Sequence, residues 1–328
     1  MTANARTAPA PTEIGATATS SSAPRQMTPL AWTLLITLSI LWGGSFFFTK
    51  VAVAEIGSME IVFLRVALAA IVLHIVLRLR GLAFPLSWSG FAPFLVMGAL
   101  NNVVPFTLLT WGQTQIASGL ASILNAFTPI STVIILHLFT TTDRATPMKA
   151  VGVVLGFCGV AVMIGTAAIT GVGDHLLAEL ACLGATVSYG TSALYGRRFM
   201  GTPALVTAAG QLTGSSIILL PILLMSGGLI DLAANWPSTE VVIAMAGLAF
   251  LSTALAYLLF FRILSVAGPA NVMLVTFLVP VSAILAGVFV LGEQLQPRHW
   301  AGIMLIAAAL ATIDGRLPRR LARALRRN

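Results

Sequence analysis

A chain of 328 residues that is 58% hydrophobic and only 9% charged lies far from the soluble average, where about a quarter of residues carry charge. It reads as an integral membrane protein with no room for a soluble domain. The net charge of +8 needs no nucleic-acid partner, because contact with the anionic cytoplasmic leaflet accounts for it.

Residues 1–28 are rich in Ala, Thr, Ser and Pro and lack the apolar core of a cleavable signal peptide, so a disordered cytoplasmic tail is expected. Ten apolar spans follow, at 30–48, 61–77, 91–109, 120–138, 150–168, 176–195, 204–224, 241–261, 270–291 and 300–313. Runs of about 20 mostly apolar residues suffice to cross the hydrocarbon core. The tenth is short and follows Arg298 and His299; its match to the fifth decides for spanning. The last stretch, 315–328, sets Leu317, Leu321 and Leu325 among six arginines. That pattern suits an interfacial helix on lipid or a solvated orientation signal. Cys158 and Cys182 read as small buried hydrophobes, and no metal or cofactor is expected.

With the N-terminus inside, all but Lys50, Arg65 and Arg298 of the 18 basic residues fall on the cytoplasmic side. A wrong number of spans would have scattered them, so the partition tests the ten-span reading independently of hydropathy. Both termini are expected in the cytoplasm, most naturally at a bacterial inner membrane.

The ten spans divide into two copies, over 29–168 and 176–314. An offset of 147 places Trp42 on Tyr189, Gly43 on Gly190, Ser45 on Ser192 and Lys50 on Arg197. At 151, Pro129 meets Pro280 and Ser131 meets Ser282; at 150, Asp143 meets Glu293 and Gly152 meets Gly302. Five spans per copy turn the second upside down relative to the first, the plan on which many secondary transporters build a central site. The fold class expected is therefore an all-α membrane protein of ten transmembrane helices in two inverted five-helix repeats. Pro129 and Pro280 are expected to kink the fourth and ninth spans, and Gly43, Gly44 and Gly190 to permit close approach or bending beside the cavity. The fifth and tenth spans, with Gly152-x-x-x-Gly156, read as scaffold or as the surface of a homodimer.

Arg65 lies within the second span, where a charge at the bilayer centre costs about 2.5 to 3.5 kcal/mol on insertion scales. It reads either as an anchor that snorkels outward or as a carboxylate-binding residue for a substrate, with Glu60 as a local partner. The two copies set Arg65 against Gln211. Other candidate cavity residues are Ser45, Asn101, Trp111, Asn125, Tyr189, Ser192, Gln211, Tyr257 and Thr276. Asn102, Gln113, Thr128, Ser188 and Ser252 are also polar at depth. Amides, hydroxyls and rings make a mostly apolar pocket that fits a small amphipathic or zwitterionic solute better than a polyanion. No carboxylate falls in the central third of a span, leaving His74 and His137 as the intramembrane titrators.

Trp42-Gly43 followed by a small polar residue, an aromatic and Lys50, Pro129 in the fourth span, and Leu291-Gly292-Glu293 closing the ninth resemble the EamA family of the drug/metabolite transporter superfamily. The resemblance covers about residues 29 to 314. It implies inverted five-helix repeats around a central cavity and transport of small metabolites, often amino acids and related compounds, or of drugs. Thr140-Thr141-Thr142-Asp143 departs from the Glu-bearing motif of the family's first copy. The expectation carried forward is a secondary transporter working by alternating access, an exporter, with a small-molecule substrate and the lipid bilayer as partners. The rival classes are a membrane scaffold or receptor, which leaves the mirrored kinks unexplained, and an intramembrane enzyme. An enzyme would need a placed nucleophile and base or a metal pair, and no such motif occurs.

Overall fold

The computed structural model describes residues 27–85, 87–141, 146–164 and 175–314. The expected tail up to residue 26, Asp143 and the basic stretch 315–328 lie outside the described residues. Among those described, ten long helices form the bundle. They are α1 Pro29–Ala52, α2 Ser58–Leu79, α3 Trp88–Gln115, α4 Ser118–Phe139, α5 Pro147–Ile164, α6 Leu176–Tyr195, α7 Ala204–Ser226, α8 Thr239–Ala267, α9 Val275–Leu291 behind a single turn Pro269–Val272, and α10 Pro297–Asp314. α1 to α4, α7 and α8 are long and apolar enough to cross a membrane. At 1.5 Å per residue the 18 residues of α5 and of α10 reach about 27 Å, close to the roughly 30 Å of a hydrocarbon core.

Local chemistry sets several starts. Thr28 caps α1 by accepting from Ala31 N at 3.2 Å, with Pro29 in the first turn. Ser87 and Ser238 cap α3 and α8 in the same way. α10 begins at Pro297, ahead of the expected 300, where a missing N–H costs nothing. α3 and α8 exceed their expected spans at 28 and 29 residues. Each runs on through a π-helical stretch near its middle, Ala99–Val103 in α3 and Gly247–Leu255 in α8.

The packing obeys a twofold relation between the repeats. α1 lies on α9 as α6 lies on α4; α1 meets α8 as α6 meets α3; α2 meets α8 as α7 meets α3. α2 packs on α7 and α5 on α10, each helix against its own counterpart. Without a hydrophobic force between helices in lipid, small residues that admit close backbones drive such packing. Gly43 of α1 sits against Ser282 and Ala283 of α9, where an added Cβ would come within 2.8 Å of the Ala283 nitrogen. Gly190 of α6 sits against Ser131 and Thr132 of α4, with a Cβ position 3.1 Å from the Thr132 nitrogen. Those are the pairs that offsets of 147 and 151 match. Gly44 has no such neighbour, a Cβ there meeting only the Phe48 ring at 3.8 Å. In α5, Gly152 and Gly159 face α10 while Gly156 faces Ile130 and Phe127 of α4. The small-residue motif therefore serves two contacts within one chain.

α4 is interrupted at Ala126 and Phe127, just ahead of Pro129. Proline at position 129 cannot donate to the Asn125 carbonyl, and the Thr128 hydroxyl does so instead at 2.7 Å. In α9 the interruption falls at Met273 and Leu274, and Pro280 sits inside the helix that follows. The two breaks are thus offset by 147 and the two prolines by 151, so the break in α9 is set apart from its proline.

One end of the bundle, where α1 finishes, is tied both within the first repeat and across the two. Lys50 Nζ donates to the carbonyls of Gln113 at 2.8 Å and Ile116 at 3.0 Å, at the C-terminal end of α3. Glu293 accepts from Ser118 N at 2.7 Å, Ser118 Oγ at 3.0 Å and Gly119 N at 3.1 Å, at the N-terminus of α4. Cation on carbonyls and carboxylate on amides both complement the helix dipoles. Gly292, with φ +68°, turns the chain out of α9 so that Glu293 can fold back. At the same end Glu55 Oε2 accepts from Ser238 N at 2.7 Å, and this bond holds the carboxyl below the usual carboxylate range. The opposite end carries an aromatic cluster, with Phe94 of the first repeat stacked on Phe199 of the second at 4.8 Å.

Candidate substrate site between the repeats

Unwinding a helix by one residue frees backbone groups and re-aims side chains, and in membranes it is tolerated only inside protein or beside a cavity. The π-helical stretches of α3 and α8 do this at equivalent places. At offset 151, Asn101 and Asn102 of α3 correspond to Ser252 and Thr253 of α8. Asn102 Nδ2 donates to Ser215 Oγ on α7 at 3.0 Å. Across the twofold, Thr253 Oγ1 accepts from Arg65 Nε on α2 at 2.8 Å. The contacts therefore pair Arg65 with Ser215, one helical turn beyond the Gln211 expected from the sequence.

Arg65 is 9% exposed. It does not snorkel, and Glu60 is not its partner. A separation of five residues sets the two side chains on different faces of α2, and the Glu60 carboxylate lies over Gly57 and Gly228 at the helix start. The guanidinium instead lies over the Phe106 ring of α3, 3.8 Å from its centroid. The phenols of Tyr189 and Tyr257 are within electrostatic range. No carboxylate pairs with it among the described residues.

Beside Arg65 runs a network of neutral groups. Asn101 Nδ2 donates to Gln211 Oε1 at 3.1 Å and to the Tyr257 hydroxyl at 3.3 Å. Gln211 Nε2 donates to the same hydroxyl at 2.9 Å, and Tyr257 donates to Asn102 Oδ1 at 3.4 Å. Ser192 Oγ donates to Asn101 Oδ1 at 2.9 Å, and Ser188 Oγ to the Leu100 carbonyl at 2.7 Å. Four helices, α3, α6, α7 and α8, meet in this network, α2 brings Arg65 beside it, and both repeats contribute.

Of the residues singled out from sequence, Arg65, Asn101, Tyr189, Ser192, Gln211 and Tyr257 are brought together here. Four stand elsewhere. Ser45 Oγ bonds back to the Trp42 carbonyl of its own helix at 2.6 Å, and Trp111 is 42% exposed. Asn125 sits at the break of α4, its Oδ1 sealed without a partner. Thr276 bonds the Met273 carbonyl beside the break of α9 and lines an apolar crevice of about 290 Å³ against α10. Thr253, Ser215 and Phe106 were not singled out. Thr253 was findable as the 151-offset counterpart of Asn102, whereas no spacing rule announces that a ring on α3 will lie under an arginine on α2. His74 donates to or accepts from Thr213 at 2.8 Å in a groove between α2 and α7, away from this network. Among the described residues no three of His, Cys, Asp and Glu gather as a metal site would require.

The likeness to known proteins follows the same division. The model of the EamA-like transporter family matches twice, at residues 30–165 and 176–313. The chain is 27% identical over 288 residues to the uncharacterized transporter YvbV of Bacillus subtilis (strain 168), covering 86% of this chain and 90% of that one. It is 24% identical over 295 residues to the uncharacterized inner membrane transporter YedA of Escherichia coli (strain K12), covering 88% and 92%. Protein PecM of Dickeya dadantii (strain 3937) is 25% identical over 281 residues, covering 84% and 89%. A solved structure titled "Crystal structure of protein" shares the fold with a TM-score of 0.61 at 16% identity, over 87% of this chain and 97% of that chain. Two family matches, the repeat packing and the apolar helices together make this an integral, multi-pass membrane protein that belongs to the EamA-like transporter family.

Proposed function

We propose that the chain is a secondary transporter that moves a small amphipathic or amino-acid-like solute, or a drug, by alternating access, with export as the direction. The observation that carries this reading is the polar network around Arg65, built by both repeats where π-helical turns interrupt α3 and α8 at equivalent places. Irregular backbone at the meeting of two repeats is how transporters expose one site to either side in turn. The partners are the solute and the bilayer, with the outer faces of α5 and α10 as the surface a second copy would use. The arginine distribution favours cytoplasmic termini at a bacterial inner membrane, which sets the Lys50 end outside. Proteoliposomes loaded with radiolabelled amino acids, monocarboxylates, purine bases and cationic drugs test the reading. Movement of at least one solute under a proton gradient or its own gradient is expected. Failure of every solute to move sinks it.

A further inference from the structure

The Arg65 guanidinium is held by two contacts, and both leave the same edge free. Nε is fixed by Thr253 at 2.8 Å and one face of the plane rests on Phe106 at 3.8 Å. The Nη nitrogens have no hydrogen-bond partner among the described residues. Nor are they sealed. Thr107, Gln113, Asn125, Ser252 and His299 each carry a polar atom shut away without a partner, and the Nη pair is not among such atoms. Two parallel N–H groups on a planar fork, oriented by a bond behind and a ring beneath, match a carboxylate bidentately.

We propose that this edge binds the carboxylate of the transported solute, and that the solute is a monocarboxylate of net charge −1 with a neutral, largely apolar body. The inference deepens the transport reading and rests on it. The charge count sets the class. Among the described residues the cation at the site is Arg65, and the remaining groups, Asn101, Gln211, Tyr189, Tyr257 and Ser192, are neutral. A single carboxylate neutralises Arg65, whereas a phosphate dianion would leave a second charge unmatched in low dielectric. A zwitterion would bring an ammonium to a site in which no carboxylate stands against Arg65 among the described residues. The bond to Thr253 and the ring contact stabilise the unliganded charge, as a charged hydrogen bond and a desolvated cation–π contact do. They position Arg65 without occupying the groups that would hold the ligand.

The test uses the purified full-length protein in detergent at neutral pH. Stabilisation against heat would be titrated with 4-methylpentanoate, 3-phenylpropanoate and benzoate, each beside its own primary amide, which keeps the shape and removes the charge. Binding of at least one acid about tenfold or more tighter than its amide is expected. Arg65→Lys keeps a charge but loses the fork and is expected to abolish that preference. Thr253→Val leaves Arg65 intact but unanchored and is expected to weaken acid binding while sparing amide binding. Equal binding of acid and amide, no binding of any acid, or an unchanged preference in folded Arg65→Lys would overturn the proposal. Radiolabelled acids that bind would then be followed in proteoliposomes. Binding without movement removes the transport reading alone, and movement of neutral or cationic solutes with no acid preference removes the carboxylate proposal alone.

Discussion

Tyr257 is the hub of the neutral network, since its hydroxyl accepts from Asn101 and Gln211 and donates to Asn102. Tyr257→Phe leaves the ring and strips those partners of their shared atom. Unpaired buried amides cost about 1 to 3 kcal/mol, so a lower thermal midpoint in detergent and a raised KM for the transported solute are expected. An unchanged midpoint would show that the amides find other partners. At this scale the sequence exposed what each side chain could do but not which neighbours it would have. Arg65 announced itself as a charge within an apolar span. Its partners lie 188 residues away at Thr253 and on the neighbouring α3 at Phe106, so only folding reveals them. Glu60, close in sequence, is far in angle around the helix.

Element ends and contacts follow sequence more closely, because their causes are local. Gly43 and Gly190 mark where α1 meets α9 and α6 meets α4; a methyl group at Gly43 would collide with the α9 backbone, and one at Gly190 would press on α4 backbone atoms at 3.1 and 3.2 Å. Gly43→Ala should force α1 from α9 and destabilise by about 1 to 3 kcal/mol, the usual cost of overpacking. Gly44→Ala, whose added Cβ would meet only the Phe48 ring at 3.8 Å, should not lower the thermal midpoint and serves as the control. Glu293→Ala removes the acceptor from Ser118 N, Ser118 Oγ and Gly119 N. A lower thermal midpoint and faster hydrogen exchange at the start of α4 are expected. Glu55 gives a pH signature at the same end. Its carboxyl titrates below the ordinary range because Ser238 N donates to it. A depressed carboxylate stabilises above its unfolded pKa and loses that contribution as pH falls through the folded one. The midpoint of wild type should therefore exceed that of Glu55→Ala at neutral pH and converge on it in acid. A constant gap across pH would contradict that assignment. The elements least legible in sequence were the π-helical stretches of α3 and α8, since an extra residue in a turn alters no hydropathy pattern. The break of α9 also fell several residues ahead of the expected Pro280.

For the whole molecule, the repeat legible in glycines, prolines and charges became a packing rule. Among the described residues the main helix-on-helix contacts between the repeats have twofold mates, and the candidate site lies where the mates differ, Arg65 with Thr253 on one side and Ser215 with Asn102 on the other. On the proposed transport reading, the symmetry offers two near-equivalent arrangements for the helices to exchange, and Arg65, where the symmetry breaks, is the charge that meets the solute. The central claim is that one site at this junction opens to both faces of the membrane. Asn101→Cys, in a background with the exposed Cys158 and the buried Cys182 replaced by Ala, places a single thiol there. A membrane-impermeant maleimide would be applied to right-side-out and to inverted vesicles, with and without a transported solute. The account predicts labelling from both faces and protection by the solute on both; labelling from one face alone would contradict it.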